Sequence, residues 1–136
     1  MRPPVFFDTN VLIYTLSAGT AKAERAQSLL RGGGHISVQV LNEFAHAGLR
    51  KLKLPVAEIE TVMKATLLTC DLHDLKLADT VAALALAERH GFPFYDSVIA
   101  ASAMRVGCTT LWTEDFQHGM KVGGRLTIRN PFAMSP

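Results

Sequence analysis

Apolar and polar residues follow one another in blocks along this chain, and short apolar runs separate longer segments of helical spacing. The apolar runs predict short strands at residues 5–7, 35–37, 68–72, 109–113 and 126–128. Apolar residues three or four positions apart predict helices at residues 9–16, 21–31, 38–51, 74–89 and 95–106, and a further helix begins near Pro55. Short strands that alternate with helices predict an α/β fold, in which a parallel sheet carries helices on both faces.

Composition places the chain among ordered globular proteins. The length of 136 residues predicts a single domain over residues 1–136, and 49% hydrophobic with 19% charged residues excludes a disordered tail. The net charge of +2 is too small to predict nucleic-acid binding by itself. Cys70 and Cys108 fit neither a disulfide framework nor a zinc pattern, so we expect reduced thiols. With no signal peptide and no membrane-spanning run visible, we expect a cytoplasmic protein.

The stretch Asp8-Thr9-Asn10 places three polar side chains between a buried strand and an apolar helix. The role of helix cap explains one of these side chains and contributes about 1 kcal/mol to stability. Three polar side chains therefore exceed what capping requires. Ligands of open parallel sheets bind outside the carboxyl ends of the strands, which is where Asp8 stands. Asp8 is therefore a candidate functional residue.

Three further acidic positions do not fit the pattern of a solvated surface. Asp96 opens the apolar helix "YDSVIAASAM", where a helix cap explains it equally well. Asp115 follows a strand in "LWTEDF", where Glu114 is an equal candidate on spacing alone. Glu43 borders the packed face of its helix and has no Lys or Arg within one turn to neutralise it. Other acids, among them Glu24, Glu58, Glu60, Asp79 and Glu88, lie among polar neighbours and are predicted to face solvent.

Four carboxylates in one place repel each other strongly. A pair about 4 Å apart costs roughly 4 kcal/mol at an effective dielectric constant of 20, so a cation must sit among them. The chain has no HExxH or CxxC motif, which disfavours zinc, whereas all-oxygen ligands favour Mg²⁺ or Mn²⁺. Such ions activate water and neutralise a leaving oxygen, so the set predicts phosphodiester hydrolysis.

The same residues resemble a known family. Asp8-Thr9-Asn10 after the first strand, Asn42-Glu43 in the third helix, "FYDSVIAASA" and "LWTEDFQHGM" are similar to the motifs of PIN-domain ribonucleases. The chain length and the closing "IRNPF" resemble the VapC-type toxins of toxin–antitoxin pairs. The similarity runs through nearly the whole chain, and the order of the four motifs makes it specific.

The resemblance implies a three-layer α/β/α sandwich with a central, mostly parallel sheet of four or five strands. It implies a Mg²⁺- or Mn²⁺-dependent endoribonuclease that leaves 5′-phosphate and 3′-hydroxyl ends on RNA. In the family the acids matching Asp8, Glu43, Asp96 and Asp115 gather round the metal. The position of the fourth acid varies within the family, which leaves Glu114 in competition with Asp115.

The resemblance also implies supporting residues and protein partners. The hydroxyl group matching Thr113 and the amide matching Asn10 help to hold carboxylates or water, and we predict Asn10 to brace Asp8. Homodimers are expected, as is inhibition by a cognate antitoxin whose C-terminal segment enters the acidic groove.

Basic residues are candidates for contact with RNA. They are the run Arg50-Lys51-Leu52-Lys53, together with Arg105, Lys121 and Arg125, although a solvated basic turn is the simpler explanation of the run. Trp112 and Phe116 flank Thr113-Glu114-Asp115, and we predict that they pack in the core.

Two other functions fit parts of the sequence. A phosphatase that forms an aspartyl-phosphate requires a second Asp two residues after the nucleophile, where this chain has Asn10. A non-catalytic RNA-binding or regulatory module of the same fold needs no metal, but the presence of all four acids argues against it.

Overall fold

The computed structural model describes residues 1–17 and 19–133. The strands in this part of the chain form one mixed sheet. Six helices and six strands occur in this part of the chain. They are β1 (Val5–Phe7), α1 (Thr9–Tyr14), α2 (Ala21–Arg31), β2 (Gly34–Ser37), α3 (Val38–Arg50), α4 (Val56–Thr69), β3 (Cys70–His73), α5 (Leu77–His90), α6 (Phe94–Arg105), β4 (Thr110–Trp112), β5 (Lys121–Val122) and β6 (Leu126–Arg129).

The predicted α/β class is confirmed: a mostly parallel sheet is flanked by helices, with strand order β3-β2-β1-β4-β6-β5. The sheet has six strands rather than four or five. The additional strand, β5, has two residues and runs antiparallel to β6 at the edge. Residues 134–136 of the predicted domain lie outside the described residues.

The order of the strands assigns the helices to two layers. The chain moves outward from β1 to β2 and β3, and then crosses back to place β4 on the other side of β1. Right-handed crossovers therefore put α1–α4 on one face and α5 with α6 on the other. Contacts agree, because α1 packs on α2 and α3, and α5 packs on α6.

The centre of the sheet is closely packed and apolar. Phe6, Phe7, Ile36, Leu111 and Ile128 are all fully buried. The run 97–103 of α6 is also buried, as the apolar sequence of that helix predicts. At Gly34 a Cβ atom would lie 2.7 Å from the carbonyl oxygen of Val5, so only glycine lets β1 and β2 approach this closely.

Asp79 was expected to face solvent, and this prediction is wrong. Asp79 is 1% exposed, and its carboxylate accepts hydrogen bonds from Nε of Arg105 at 2.6 Å and from Nη2 at 3.0 Å. Burial raises the pKa of Asp79, but the hydrogen bonds from Arg105 and from the backbone N–H of Lys76 outweigh this and lower the pKa overall. Arg105, a candidate for contact with RNA, is thus engaged in joining α5 to α6.

Cys70 and Cys108 are free thiols and both are buried. In the described part of the chain, none of the helices combines the length and the apolar character that crossing a membrane requires.

Candidate metal centre

The carboxyl ends of β1 and β4 lie side by side at the point where the order of the strands reverses. The two strands pair in parallel, with Phe7 opposite Trp112, and the backbone N–H of Asp8 donates to the carbonyl oxygen of Trp112 at 3.0 Å. Connections leave these neighbouring strands in opposite directions, which opens a crevice above the edge of the sheet. The residues that follow each strand therefore meet there.

Three of the predicted acids converge in this crevice. Asp8 follows β1, Asp96 lies in the first turn of α6, and Asp115 follows β4. One carboxylate oxygen from each lies within 4.8 Å of the other two. Asp8 is buried, Asp96 is half-buried and Asp115 is exposed, so the cluster opens from the core to solvent.

The hydroxyl group of Thr113 connects two of these acids. Its Oγ1 donates to Oδ2 of Asp8 at 2.6 Å and accepts from the backbone N–H of Asp115 at 3.0 Å. The other oxygen of Asp8 accepts from the backbone N–H of Thr9 at 2.6 Å, so Asp8 also caps α1. Both carboxylate oxygens of Asp8 are held, which fixes its orientation.

Glu43 lies in the same cleft beside the three acids. Its Oε2 accepts from the hydroxyl group of Thr9 at 3.2 Å, and its side chain is half-buried. The set of three mutually close oxygens comprises Asp8, Asp96 and Asp115 and does not include Glu43. Glu43 thus stands next to the cluster rather than within it.

Asn10 has an uncommon environment. Its side-chain Oδ1 is buried and has no hydrogen-bond partner among the described residues. A buried carbonyl oxygen without a donor is costly, so this oxygen is suited to contact with a water molecule or a cation. The predicted brace between Asn10 and Asp8 is not among the hydrogen bonds of the described residues and stays a prediction.

Burial and mutual repulsion raise the pKa of these carboxyl groups. For Asp8 burial is the largest cause and raises the pKa well above its ordinary value, although the hydrogen bond from Thr113 opposes it and the charge of Asp115 adds to it. Burial, then Asp115 and Glu43, raise the pKa of Asp96 to about 6. Burial also raises the pKa of Glu43. A cation would relieve all of these costs.

The structure separates Glu114 from Asp115, the two alternatives that spacing left open. Asp115 belongs to the set of three close oxygens, whereas Oε2 of Glu114 lies 3.5 Å from Nζ of Lys22 on α2. The two neighbouring side chains therefore have different surroundings, one anionic and the other paired with a cation.

The cleft above the acids has a volume of about 600 Å³. Arg50 and Lys51 of the predicted basic run line it, as does His46. Gln39 and Tyr95 also line it and were not predicted, because neither carries a charge or an unusual spacing in the sequence. Their positions follow from the packing of α3 against α6, which brings the two helices to the same cleft.

The residues present fit a divalent cation of the Mg²⁺ type. The donor set consists of carboxylate oxygens, with the unpartnered amide oxygen of Asn10 nearby. Hard oxygen ligands of this kind suit Mg²⁺ and Mn²⁺, and the cluster offers neither a thiolate nor an imidazole for zinc. Asp8, Asp96 and Asp115 would hold the ion, and Glu43 lines the same cleft.

Fold and site together define a class: a doubly wound α/β domain with a carboxylate centre at its topological switch point. The family model of the PIN domain matches residues 5–119, and the chain belongs to this family. No curated protein matches the sequence.

Solved structures share this fold. A toxin–antitoxin complex from Klebsiella pneumoniae is 22% identical with a TM-score of 0.67, and the match covers 96% of this chain and 99% of that one. DNA-bound VapBC from Salmonella typhimurium is 19% identical with a TM-score of 0.68, covering 94% and 98%. The sarcin–ricin loop cleaving toxin VapC20 from Mycobacterium tuberculosis is 17% identical with a TM-score of 0.61, covering 82% and 89%.

Mn²⁺ is expected to raise the melting temperature of the wild-type protein at pH 7. A Mn²⁺ concentration of about 100 times the dissociation constant adds about 2.7 kcal/mol to the free energy of unfolding. This corresponds to a rise in melting temperature of roughly 5–10 °C for a chain of this size. The shift should decrease as the pH falls through 6, because protons compete for Asp96, whose pKa is about 6. Differential scanning calorimetry measures this shift in melting temperature, with the protein in EDTA as the reference.

Asp8→Asn should abolish this shift, and Glu114→Gln should keep it, because Glu114 pairs with Lys22 outside the cluster. A melting temperature of the wild type that does not respond to Mn²⁺ would contradict a preformed metal centre.

Proposed function

We propose that this protein is a Mg²⁺- or Mn²⁺-dependent endoribonuclease and the toxin of a type II toxin–antitoxin pair. The observation that carries the proposal is the convergence of Asp8, Asp96 and Asp115 at the switch point of the sheet. These acids come from three distant parts of the chain, and their oxygens lie within 4.8 Å of one another. A structural role does not require three acids to share a site where each raises the cost of ionising the others.

The similar structures support the toxin part of the proposal. They include two toxin–antitoxin assemblies and one toxin that cleaves the sarcin–ricin loop. A non-catalytic module of the same fold has no use for an anionic cluster that is costly to keep ionised, so we favour an enzyme.

A bound divalent ion would supply charge neutralisation and Lewis-acid stabilisation of negative charge on the phosphate. The residues of the chain itself prepare the site for it. Thr113 holds the carboxylate of Asp8 through its hydroxyl group and fixes the backbone of Asp115, and Thr9 holds Glu43. These hydrogen bonds preorganise the acids, so little rearrangement is needed when cation and substrate arrive.

RNA must approach a cleft that is anionic without a cation. Arg50 and Lys51 line one side of this cleft and are the basic residues of the predicted run best placed to bind a phosphate of the substrate. Tyr95, which is 59% exposed at the cleft, offers an aromatic face on which a base can stack. These residues provide attraction that does not depend on the ion.

Cleavage by matched variants tests the proposal. Purified wild type should cut single-stranded RNA with Mg²⁺ or Mn²⁺ and leave 5′-phosphate ends, and EDTA should stop it. Asp115→Asn should lower the rate on the order of 10²–10³-fold, because one of the carboxylates that would hold the cation is lost, and with it the electrostatic stabilisation that the cation would give the transition state. Glu114→Gln removes the same charge one residue away and should keep nearly full activity, since Glu114 pairs with Lys22.

Equal activity of the two variants, or cleavage that survives EDTA, would refute the metal-dependent nuclease.

Expression in bacteria tests the toxin part separately. Wild type should arrest growth, and Asp8→Asn should relieve the arrest at equal protein level. We further propose that the protein is cytoplasmic, that it acts as a homodimer, and that a cognate antitoxin inhibits it by inserting a C-terminal segment into the acidic cleft. Persistent arrest by Asp8→Asn would mean that toxicity has another source.

A further inference from the structure

A second polar cavity lies on the side of α2, next to the strand ends that carry the acids. It has a volume of about 320 Å³, and its polar lining comes from Arg25, Trp112, Thr127, Arg129, His118 and Asn130. Trp112 and Arg129 face each other in the register of β4 and β6. Among the described residues that line the cavity there is no carboxylate.

Two residues that line the cavity, His118 and Asn130, have their acceptor atoms occupied by hydrogen bonds. Nδ1 of His118 accepts from the backbone N–H of Asn130 at 3.0 Å, so the neutral ring carries its proton on Nε2. Oδ1 of Asn130 accepts from the backbone N–H of Phe132 at 2.8 Å, which leaves its amide N–H groups free to donate. The acceptor atoms of both side chains are therefore occupied, and their donors remain.

Two arginines add positive charge. Nε of Arg25 donates to the carbonyl oxygen of Pro131 at 3.0 Å, and its guanidinium group lies 5.5 Å from the centroid of the Trp112 ring, so its position is fixed while other N–H groups stay available. The exposed side chain of Arg129 makes neither a hydrogen bond nor an ion pair with any described residue. A cavity lined by two arginines and by side chains with free donors, with no acid among its described lining residues, is suited to an oxyanion.

The cavity shares its strand ends with the acid cluster. Trp112 directly precedes Thr113, whose hydroxyl group holds Asp8, and the backbone N–H of Thr113 donates to the carbonyl oxygen of Arg129 at 2.9 Å. The donor-rich cavity and the anionic cleft are thus neighbouring sites on one rim with opposite charge.

We propose that this cavity binds a backbone phosphate of the RNA next to the one that is cleaved, with Arg129 as its main ligand. The inference rests on the proposed function. A phosphate fits better than an aromatic base, because Arg25 lies over the ring of Trp112. RNA fits better than an acidic peptide, because a cation held by the three acids of the adjacent cleft would attract the phosphates of a continuing strand.

Fluorescence anisotropy with a labelled single-stranded RNA oligonucleotide, in Ca²⁺ and over a series of KCl concentrations, tests this subsite. Arg129→Gln should weaken binding about 3–10-fold and reduce the slope of log K against log salt by about 0.7, the value for one phosphate contact on a single strand. Arg129→Lys should recover part of the affinity, because it keeps the charge. Arg89→Gln, the matched control on α5, should bind like wild type.

Further arms separate the possible outcomes. His118→Leu, which removes a donor without removing Arg129, should also weaken binding and keeps the test valid if Arg129→Gln fails to fold. Equal affinity of Arg129→Gln and Arg89→Gln would overturn the subsite. If Arg129→Gln loses binding to poly-glutamate while its RNA binding is unchanged, the RNA subsite is also overturned. The cavity is then assigned to an acidic protein segment. If wild type binds RNA through Arg129 but never cleaves it, the subsite stands and the nuclease proposal fails.

Discussion

Asp96→Asn is expected to lower RNA cleavage on the order of 10²–10³-fold and, without metal, to raise the melting temperature. Asparagine keeps the shape of the side chain and loses the charge. The pKa of Asp96 is raised to about 6 in the folded protein by burial, Asp115 and Glu43, so the ionised carboxylate destabilises the fold at pH 7. Removing that charge lowers the affinity for the ion and stabilises the apo protein.

The size of the stability gain follows from the linkage between protonation of Asp96 and folding. A shift from 3.8 to about 6 corresponds to about 3 kcal/mol at most, and solvent screening of this half-buried group reduces it to about 1 kcal/mol, or roughly 3 °C. Because the folded pKa lies above the unfolded one, the penalty is complete above pH 6 and disappears as the pH falls towards 3.8. The difference in melting temperature between variant and wild type should therefore shrink over that range.

Calorimetry in EDTA between pH 7 and pH 4 checks this, alongside the cleavage assay. Glu114→Gln serves as the control and should change neither the cleavage rate nor the melting temperature. A variant that loses activity and also melts at a lower temperature would indicate that Asp96 is needed for folding rather than for metal binding.

Arg105→Met is expected to reduce the free energy of unfolding by about 3–5 kcal/mol, the largest effect on stability that we predict. Asp79 is 1% exposed, and Arg105 supplies both of its side-chain ion-pair contacts. Without the guanidinium group a buried carboxylate is left with no countercharge. Nη2 of Arg105 also donates to the carbonyl oxygen of Asp74 at 2.9 Å, so the segment before α5 loses an anchor too.

Urea denaturation measures the effect, which corresponds to a fall in melting temperature of roughly 10 °C or more. Asp79→Asn combined with Arg105→Met should recover part of the loss, because the unpaired charge is gone. Arg89→Met removes an exposed arginine from α5 and should change stability by less than about 0.5 kcal/mol. Equal stability of the Arg105 and Arg89 variants would show that the ion pair adds nothing to the fold.

The helices and five of the strands could be predicted because their signals are local. Apolar spacing and end residues place α2 at residues 21–31 in both sequence and structure, and most other boundaries agree within two or three residues. β5 was missed because two residues cannot display an alternating pattern; it exists through its pairing with β6.

Contacts between distant residues were the part that the sequence did not reveal. Asp79 has the polar neighbours of a surface residue, and its burial depends on Arg105, which lies 26 positions further along the chain. The choice between Glu114 and Asp115 likewise required the position of Lys22 on α2. Asp8 could be selected as a candidate because three polar residues follow a buried strand, and Asp96 because it is a charge at the start of a helix that is otherwise apolar.

The three acids of the cluster belong to the first strand end, the start of α6 and the segment after β4. During translation, Asp115 emerges from the ribosome only after most of the polypeptide has been made. Unfinished chains released from stalled ribosomes before that point lack one of the three carboxylates. The centre is therefore one of the last features of the molecule to be assembled during synthesis.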